Sequence, residues 1–373
     1  MIRKIRNLTA GTLLVAGIVS CQSAGNQKRV TVADNGRTPE TEHLLNNLRV
    51  IPRQGVMFGH HDDPLYGIGW EGEEGRSDVK SVVGDYPAVM SFDIGHIELG
   101  RAESLDKVSF GKIRREIIAQ YERGGMNTIS WHLDNPLTGG DSWDVSEKGV
   151  VASILPGGAR YETFQQWLGN AAEFLSSLET ADEVKVPVLF RPWHEHTGSW
   201  FWWGKEWCSP EEYKALWRMT YDFMTDKGVN NLLYAYSPGT EPKDTTEYLE
   251  RYPGDDIVDL IGFDCYQFDR EIFLVQMKKS LDILTAIGQA HHKPIAVTEF
   301  GYETIPDPVW WTETVLPLLS EYPLSYALVW RNARERENHY YAPYPGQVSA
   351  EDFVKFYEDP RTLFAGDVKG LYK

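Results

Sequence analysis

The chain has 373 residues, of which 42% are hydrophobic and 24% are charged, and its formal net charge is −17 at pH 7. This length and composition predict one large globular domain, with two smaller domains as the alternative, and they exclude a predominantly disordered protein. A strongly acidic surface repels phosphate polymers and anionic membranes, so we expect no nucleic-acid partner. The 13 Trp and 19 Tyr residues are numerous, and such side chains line either a core or a binding groove.

Residues 1–20 have the pattern of an export signal, a basic start followed by an apolar run that is too short to span a bilayer as a helix. The end of this segment resembles a bacterial lipoprotein processing site, so we expect Cys21 to carry the lipid. An ordinary cleaved signal is the alternative. Residues 21–40 are expected to form a tether, with 41–373 as a single domain. This pattern predicts an exported lipoprotein of a Gram-negative bacterium, in the periplasm or on the outer-membrane surface, with only its lipid in the membrane.

Short apolar runs alternate with amphipathic segments along the rest of the chain. Eight such runs predict an α/β fold of the (β/α)8 TIM-barrel type, and their lack of strict alternation is expected of parallel strands that are covered on both faces. A doubly wound open sheet is the alternative, but no glycine-rich turn follows the first run. The runs are Val56–Phe58, Ala88–Phe92, Thr128–Trp131, Val186–Phe190, Leu232–Tyr236, Leu260–Phe263, Ile295–Val297 and Tyr326–Trp330.

The clearest helix is predicted for Ser209–Lys227. Ser209 and Glu212 form a capping box, Pro210 takes the first helical position, and apolar residues recur at helical spacing. Other helices are predicted at Glu42–Leu48, Lys112–Arg123, Tyr161–Leu178, Glu271–Gln289 and Val309–Ser320.

Polar and aromatic residues follow seven of the eight apolar runs. In a (β/α)8 barrel, active residues lie at the carboxyl ends of the strands, so these clusters are expected to meet at one face. The clusters are His60–Asp63, Asp93, Trp131–Pro136, Arg191–His196, Asp264–Tyr266, Thr298–Tyr302 and Trp330–Asn332.

Glu195 and Glu299 follow the fourth and seventh runs, which face each other across an eight-stranded barrel. Glycosidic cleavage requires an acid at the leaving oxygen and a second carboxylate at the anomeric carbon, and retaining enzymes hold the two about 5–5.5 Å apart. The pair predicts a retaining glycoside hydrolase with Glu195 as acid/base and Glu299 as nucleophile. A structural glutamate paired with Arg191 is the alternative interpretation of Glu195.

The expected neighbours of the two glutamates differ. Apolar residues near Glu195 favour the protonated form that an acid requires. Glu299 is expected to accept hydrogen bonds from His194 and Tyr266. The apolar residues expected beside Glu195 are Trp193, Trp200 and Phe201.

The aromatic run after Glu195 continues through Trp202, Trp203 and Trp207. Pyranose faces stack on aromatic rings, so the run suggests sugar subsites, with core packing as the alternative. Trp143, in the loop after the third run, is a further candidate.

Histidines raise the alternative of a metal site. His194 and His196 are two residues apart, and His60–Asp63 offers further ligands, but the spacing is not that of the helical HExxH motif. We predict no metal and no cofactor. The sequence leaves open whether Cys208 and Cys265 form a disulfide or remain buried free thiols.

These residues together resemble glycoside hydrolase family 26. The resemblance extends roughly from Gly55 to Trp330. The segment Arg191–Gly204 resembles the acid/base segment of the family, and Thr298–Gly301 resembles its nucleophile segment. The other matching segments are Ser130–His132, Gly262–Tyr266, whose tyrosine would orient the nucleophile, and Trp330–Asn332.

The resemblance implies a retaining enzyme that acts on β-1,4-mannosidic bonds in mannan, glucomannan or galactomannan, or in manno-oligosaccharides. We expect a monomer. β-1,3:1,4-Glucanase or β-1,3-xylanase activity is the alternative within the family, and a non-catalytic glycan-binding lipoprotein is the alternative of another class. The expected substrate-binding residues are His132, Trp143, Arg191, His194, Trp200, Tyr266, Trp330 and Arg331.

Three long loops are expected at the active face: Asp62–Arg76, Leu133–Arg160 and Asn332–Ser349. If they close one end of the groove, the enzyme releases mainly short products such as mannobiose.

Overall fold

A computed structural model of the chain describes residues 36–373. Within this range eight parallel strands pair in chain order, and the eighth strand pairs with the first to close a barrel. Helices flank the strands, so the predicted (β/α)8 TIM barrel is confirmed. The eight barrel strands are β1 (Val56–His61), β2 (Val89–Asp93), β3 (Met126–Ser130), β4 (Val188–Arg191), β5 (Leu232–Tyr236), β6 (Leu260–Tyr266), β7 (Ile295–Gly301) and β8 (Leu324–Val329).

The helices lie mainly between consecutive strands. The α-helices are α1 (Pro39–Val50), α2 (Asp78–Val83), α3 (Phe110–Glu122), α4 (Val150–Ile154), α5 (Tyr161–Ser176), α6 (Pro210–Asp226), α7 (Thr245–Leu249), α8 (Arg270–His291), α9 (Leu316–Ser320) and α10 (Ala350–Glu358). Shorter elements are a 3₁₀ turn at Ile51–Arg53, a π-helical turn at Trp311–Val315, a small hairpin of Tyr66–Gly67 with Trp70–Glu71, and a strand at Thr362–Leu363 beside β1.

Three strands extend three or more residues beyond their apolar runs, and the first of them, β1, continues to His61. β6 and β7 continue through polar residues, with Asp264 paired to Glu299 and Tyr266 to Gly301. Backbone hydrogen bonding does not depend on side-chain polarity, so polar side chains at the active face remain within the ladder. As a result Glu299 and Tyr266 lie on strands.

Helix α6 forms as its sequence predicts. Both hydrogen bonds of the capping box between Ser209 and Glu212 are present. The predicted helix at Val309–Ser320 instead begins with a π-helical turn, in which the Leu316 amide donates to the Trp311 carbonyl. Pro317 follows directly and has no N–H group, which interrupts the regular pattern of helical hydrogen bonds at this point.

Helix α1 covers the amino-terminal end of the barrel. Its apolar face packs beneath the strands with Met57 and Leu233. The Thr38 amide donates to the Asn230 carbonyl, just before β5. Pro39 and Glu40, which we place in the tether from the sequence, form the first turn of α1. The apolar residues of that face are Leu44, Leu45 and Leu48.

Some sequence predictions lie outside the described residues: the signal at 1–20, the lipid site at Cys21 and the tether up to residue 35. No helix within residues 36–373 is long and apolar enough to cross a membrane. Cys208 and Cys265 are buried free thiols, so the disulfide alternative is wrong.

Candidate active site

The two predicted carboxylates lie at the carboxyl ends of opposed strands. Glu195 follows β4, and Glu299 lies within β7. The charge of Glu299 is among the causes that raise the pKa of Glu195, and Tyr266 experiences the charges of both. The fold therefore brings the two side chains into one site.

A β-bulge in β7 turns Glu299 toward the barrel axis. Along this strand Ala296 packs inside the barrel and Val297 packs against the helices, as alternation requires. Strict alternation would place Thr298 inside and Glu299 outside. β7 carries one extra residue here relative to both neighbouring strands, and Thr298 and Glu299 both contact residues of the site. Bulges of this kind re-aim side chains next to active sites.

Each oxygen of Glu299 accepts a hydrogen bond. The Tyr266 hydroxyl donates to Oε1, so the predicted contact is present. Arg191 Nη2 donates to Oε2 at 2.5 Å. These two donors fix the carboxylate in position.

Arg191 joins Glu299 to a third carboxylate, that of Asp264. Its Nη1 donates to Asp264 Oδ2 at 2.7 Å, and the guanidinium is only 1% exposed. Burial raises the pKa of Asp264 to about 7, although the positive charge of Arg191 lowers this pKa. We predicted Arg191 as a sugar ligand, and its burial beneath the carboxylates contradicts this. Its donors are directed to Glu299 and Asp264 instead of toward the groove.

Glu195 is held differently. It accepts a hydrogen bond from Trp200 Nε1 at 2.7 Å, and Trp200 is 40% exposed at the mouth of the site. Burial raises the pKa of Glu195 well above its usual range, and the charges of Glu299 and Asp264 raise it further, against the effects of Trp200 and Arg191. This environment favours the protonated carboxyl group.

Two histidines and an aspartate form a chain beside Glu195. His132 Nδ1 lies 2.7 Å from Asp93 Oδ2, and His132 Nε2 lies 3.1 Å from His194 Nε2. Burial holds the pKa of His194 well below its usual range. We predicted that His194 would bond Glu299 and bind sugar. The structure instead places it against His132, at 1% exposure, because its ring packs between His132 and Trp203.

Aromatic rings surround the two histidines. Trp143 stacks on His132 with ring centroids 5.3 Å apart and is 49% exposed, as a sugar platform would be. Phe201 contacts His132, His194 and Trp143. Trp330 stacks on His61 at 4.1 Å. The predicted candidates Trp143, Trp200, Trp330 and Phe201 therefore converge on this site.

Other members of the aromatic run belong to the core. Trp202 and Trp203 are fully buried. The indole of Trp193 points toward the helices, where its Nε1 donates to Thr220 of α6, so it is not the apolar neighbour of Glu195 that we predicted.

Arg331 connects loops around one side of the rim. It contacts Tyr66, from the loop after β1, at 3.2 Å and Asp106, from the loop after β2, at 3.3 Å. Arg334 reinforces this connection through Glu71 at 2.7 Å and the Asp106 carbonyl at 2.8 Å. The loops that these contacts connect follow β1, β2 and β8. From the sequence we expected the long loops after β1, β3 and β8 to close the groove, so the loop after β2 takes the place of the loop after β3.

The first-strand cluster is buried. His60 Nδ1 bonds Asp63 at 2.8 Å, and His61 Nδ1 bonds Ser91 at 2.9 Å. Within residues 36–373 no group of three or more His, Cys, Asp or Glu side chains is arranged to hold a metal ion.

From the sequence we assigned no role in the site to Asp264 or Asp93, although both lie at the ends of predicted strands. Asp264 lies two residues before Tyr266 on β6, and residues at this spacing on a strand point to the same face. The sequence therefore contained enough information to predict that Asp264 lies in the site with Tyr266. The partnership of Asp93 with His132 joins neighbouring strands and has no signature in the sequence.

Known proteins resemble this chain over most of its length. The profile of Glycosyl hydrolase family 26 matches residues 33–338. A mannan endo-1,4-beta-mannosidase of Bifidobacterium adolescentis is 32% identical over 369 residues, which cover 92% of this chain and 36% of that protein. The chain thus spans about a third of the length of this relative.

Solved structures agree with the sequence comparison. The structure of a GH26 beta-mannanase from Bacteroides ovatus superposes with a TM-score of 0.90 at 62% identity, covering 90% of this chain and 98% of that one. The modular endo-beta-1,4-mannanase of Cellulomonas fimi superposes with a TM-score of 0.83 at 34% identity, covering 91% and 78%. The chain belongs to glycosyl hydrolase family 26.

Proposed function

We propose that the protein is a retaining β-mannanase that hydrolyses β-1,4-mannosidic bonds in mannan, glucomannan or galactomannan. The observation that carries the proposal is the contrast between its two carboxylates. Glu195 lies where burial and neighbouring charge favour its protonated form, whereas Glu299 accepts hydrogen bonds from Arg191 and Tyr266. The names of the relatives supply the substrate, since both solved structures and the curated relative are described as mannanases or mannosidases.

The proposed reaction has two steps. Glu195 gives its proton to the glycosidic oxygen while Glu299 attacks the anomeric carbon, so the C1–O bond breaks and a glycosyl ester forms on Glu299. Glu195, now a carboxylate, takes a proton from water, and the water oxygen attacks C1 and displaces Glu299. Two inversions give net retention, and no cofactor takes part.

Substitution of the two glutamates tests this assignment. Glu299→Ala should reduce hydrolysis of mannan by about 10⁴-fold or more, because no nucleophile remains, while oligosaccharide binding persists. Glu195→Ala should retain turnover of a dinitrophenyl β-mannobioside better than that of mannan, because a good leaving group requires no acid. Azide should accelerate turnover of the dinitrophenyl β-mannobioside by the Glu195→Ala variant and yield a β-mannobiosyl azide, with the configuration retained. Reducing-sugar release and NMR of the products measure these effects.

The same assay compares mannan, lichenan and β-1,3-xylan with wild-type protein. Faster release from lichenan or xylan would replace the mannanase assignment by the corresponding glucanase or xylanase. No turnover on any of the three would favour a glycan-binding protein. Near-normal hydrolysis by Glu299→Ala would contradict the role of Glu299.

The pH profile should respond to Trp200. Its indole N–H stabilises the charged form of Glu195 and so opposes the rise in the pKa of Glu195. Trp200→Phe keeps an aromatic ring but removes this donor, so the pKa of Glu195 should rise further. Since the acid must be protonated, activity is lost as pH rises through that pKa, and the basic limb of kcat/KM should move to higher pH. An unchanged or acid-shifted limb would contradict this account.

We further propose that the loops joined by Arg331 and Arg334 close one end of the groove and favour short products such as mannobiose. The support is the set of contacts among the loops after β1, β2 and β8. Arg334→Ala removes the ion pair to Glu71 and the bond to Asp106, so a time course on mannohexaose should show a broader early spread of sizes than wild type. Arg218→Ala, which breaks a surface ion pair with Asp256 elsewhere, is the control. Identical product profiles would argue against a closed end.

We also propose that the protein is an exported lipoprotein anchored through Cys21. The support is the sequence pattern of residues 1–21, in which a basic start and an apolar run are followed by Ser20 and Cys21. Cys21→Ala should abolish incorporation of labelled palmitate and release the protein from membranes, and continued labelling would contradict the proposal.

A further inference from the structure

The backbone that carries Glu195 adopts a conformation that side chains normally avoid. Trp193 has φ 57° and Glu195 has φ 53°, both in the left-handed region. In this region Cβ crowds the following carbonyl, so residues other than glycine, asparagine and aspartate rarely adopt it. Two large residues do so within three positions, which means that surrounding contacts must hold the turn.

Four hydrogen bonds hold this turn, and two of them come from buried side chains. The Glu195 amide donates to the Ser237 carbonyl at 2.8 Å, and its carbonyl accepts from the Gly198 amide at 3.0 Å. Trp203 Nε1 donates to the His194 carbonyl at 2.9 Å. The Tyr213 hydroxyl donates to the Trp193 carbonyl at 2.7 Å.

Tyr213 is the contact that links the turn to the helical layer. It lies in the first turns of α6, directly after the capping box, and is fully buried. Its oxygen accepts from Trp217 Nε1 at 2.9 Å, and indole N–H groups only donate, so the hydroxyl proton remains available for the Trp193 carbonyl. His196 packs on the Tyr213 ring with centroids 4.3 Å apart, on the other side of Glu195 in sequence.

We propose that Tyr213 is a positioning residue for Glu195. This inference rests on the proposed role of Glu195 as acid/base. Without the hydroxyl, the Trp193 carbonyl loses its partner in a buried layer, and the turn can relax toward negative φ. The carboxyl group of Glu195 then moves away from the glycosidic oxygen, although Tyr213 itself touches no substrate.

Tyr213→Phe tests the proposal with two substrates. Cleavage of a β-1,4-linked manno-oligosaccharide requires a proton at the leaving oxygen, whereas release of dinitrophenolate from a dinitrophenyl β-mannobioside does not. kcat/KM reports the first irreversible step, so it isolates this difference. We expect kcat/KM to fall about 100-fold for the oligosaccharide, the scale of general acid catalysis, and less than about threefold for the aryl glycoside. Equal losses on both substrates, or no loss on either, would overturn the proposal.

A matched control is available in Tyr234. This residue is also buried, packs against Trp217 and Tyr221 of α6, and its hydroxyl has no hydrogen-bond partner within residues 36–373. Tyr234→Phe should behave as wild type on both substrates. A selective loss in this variant equal to that of Tyr213→Phe would overturn the proposal, because any buried tyrosine of this layer would then have the same effect.

A second variant, Trp217→Phe, tests the proposal if Tyr213→Phe does not fold. Trp217→Phe removes the donor that orients the Tyr213 hydroxyl but leaves the hydroxyl in place. It should show a smaller loss, again selective for the oligosaccharide, and an unselective loss would overturn the proposal. Wild-type protein without turnover of either substrate would contradict the proposed function itself, whereas equal losses in Tyr213→Phe would contradict only the role of Tyr213.

Discussion

The candidate site depends on one buried guanidinium shared by two carboxylates. Arg191 compensates both Glu299 and Asp264, and all three side chains are almost fully enclosed. Removal of one partner from such a group typically costs about 3–5 kcal/mol, because a buried charge is left uncompensated. The hydroxyls of Ser237 and Thr298 donate to the other oxygen of Asp264, Oδ1. The position of the nucleophile and the bulge in β7 are therefore coupled, and an Arg191 directed toward sugar would leave both carboxylates without an opposing charge.

The second carboxylate is held by contacts of another kind. Glu195 stands on a left-handed turn outside the strands, and a partly exposed indole is its hydrogen-bond donor. A group that must lose and regain a proton in each cycle benefits from a backbone that is fixed and a side chain that is lightly bonded. Glu299 has the reverse arrangement, a side chain bonded at both oxygens. The different roles of Glu195 and Glu299 thus follow from the different contacts that hold their backbones and side chains.

The sequence predicts the barrel, both glutamates and the contact from Tyr266, because strand order and strand ends fix which residues share a face. It does not predict what His194 and Arg191 contact. Those partners depend on the tilt and register of neighbouring strands, which no local pattern encodes. Alternation alone would even place Glu299 outside the barrel, since the bulge appears only once β7 is paired with both neighbours. In the sequence Tyr213 occupies an ordinary apolar position of α6. Only the structure shows that its hydroxyl donates to the Trp193 carbonyl, in the turn that carries Glu195.

The most direct measurement for the central claim is to trap the covalent intermediate. A 2-deoxy-2-fluoro mannosyl or mannobiosyl donor with a good leaving group slows the second step more than the first, so the glycosyl ester accumulates. Proteolysis and mass spectrometry then locate the label. The account predicts one label per molecule, on the peptide that contains Glu299, with none on the peptide that contains Glu195. A label on Glu195, or hydrolysis of mannan with inversion and no ester formed, would contradict it.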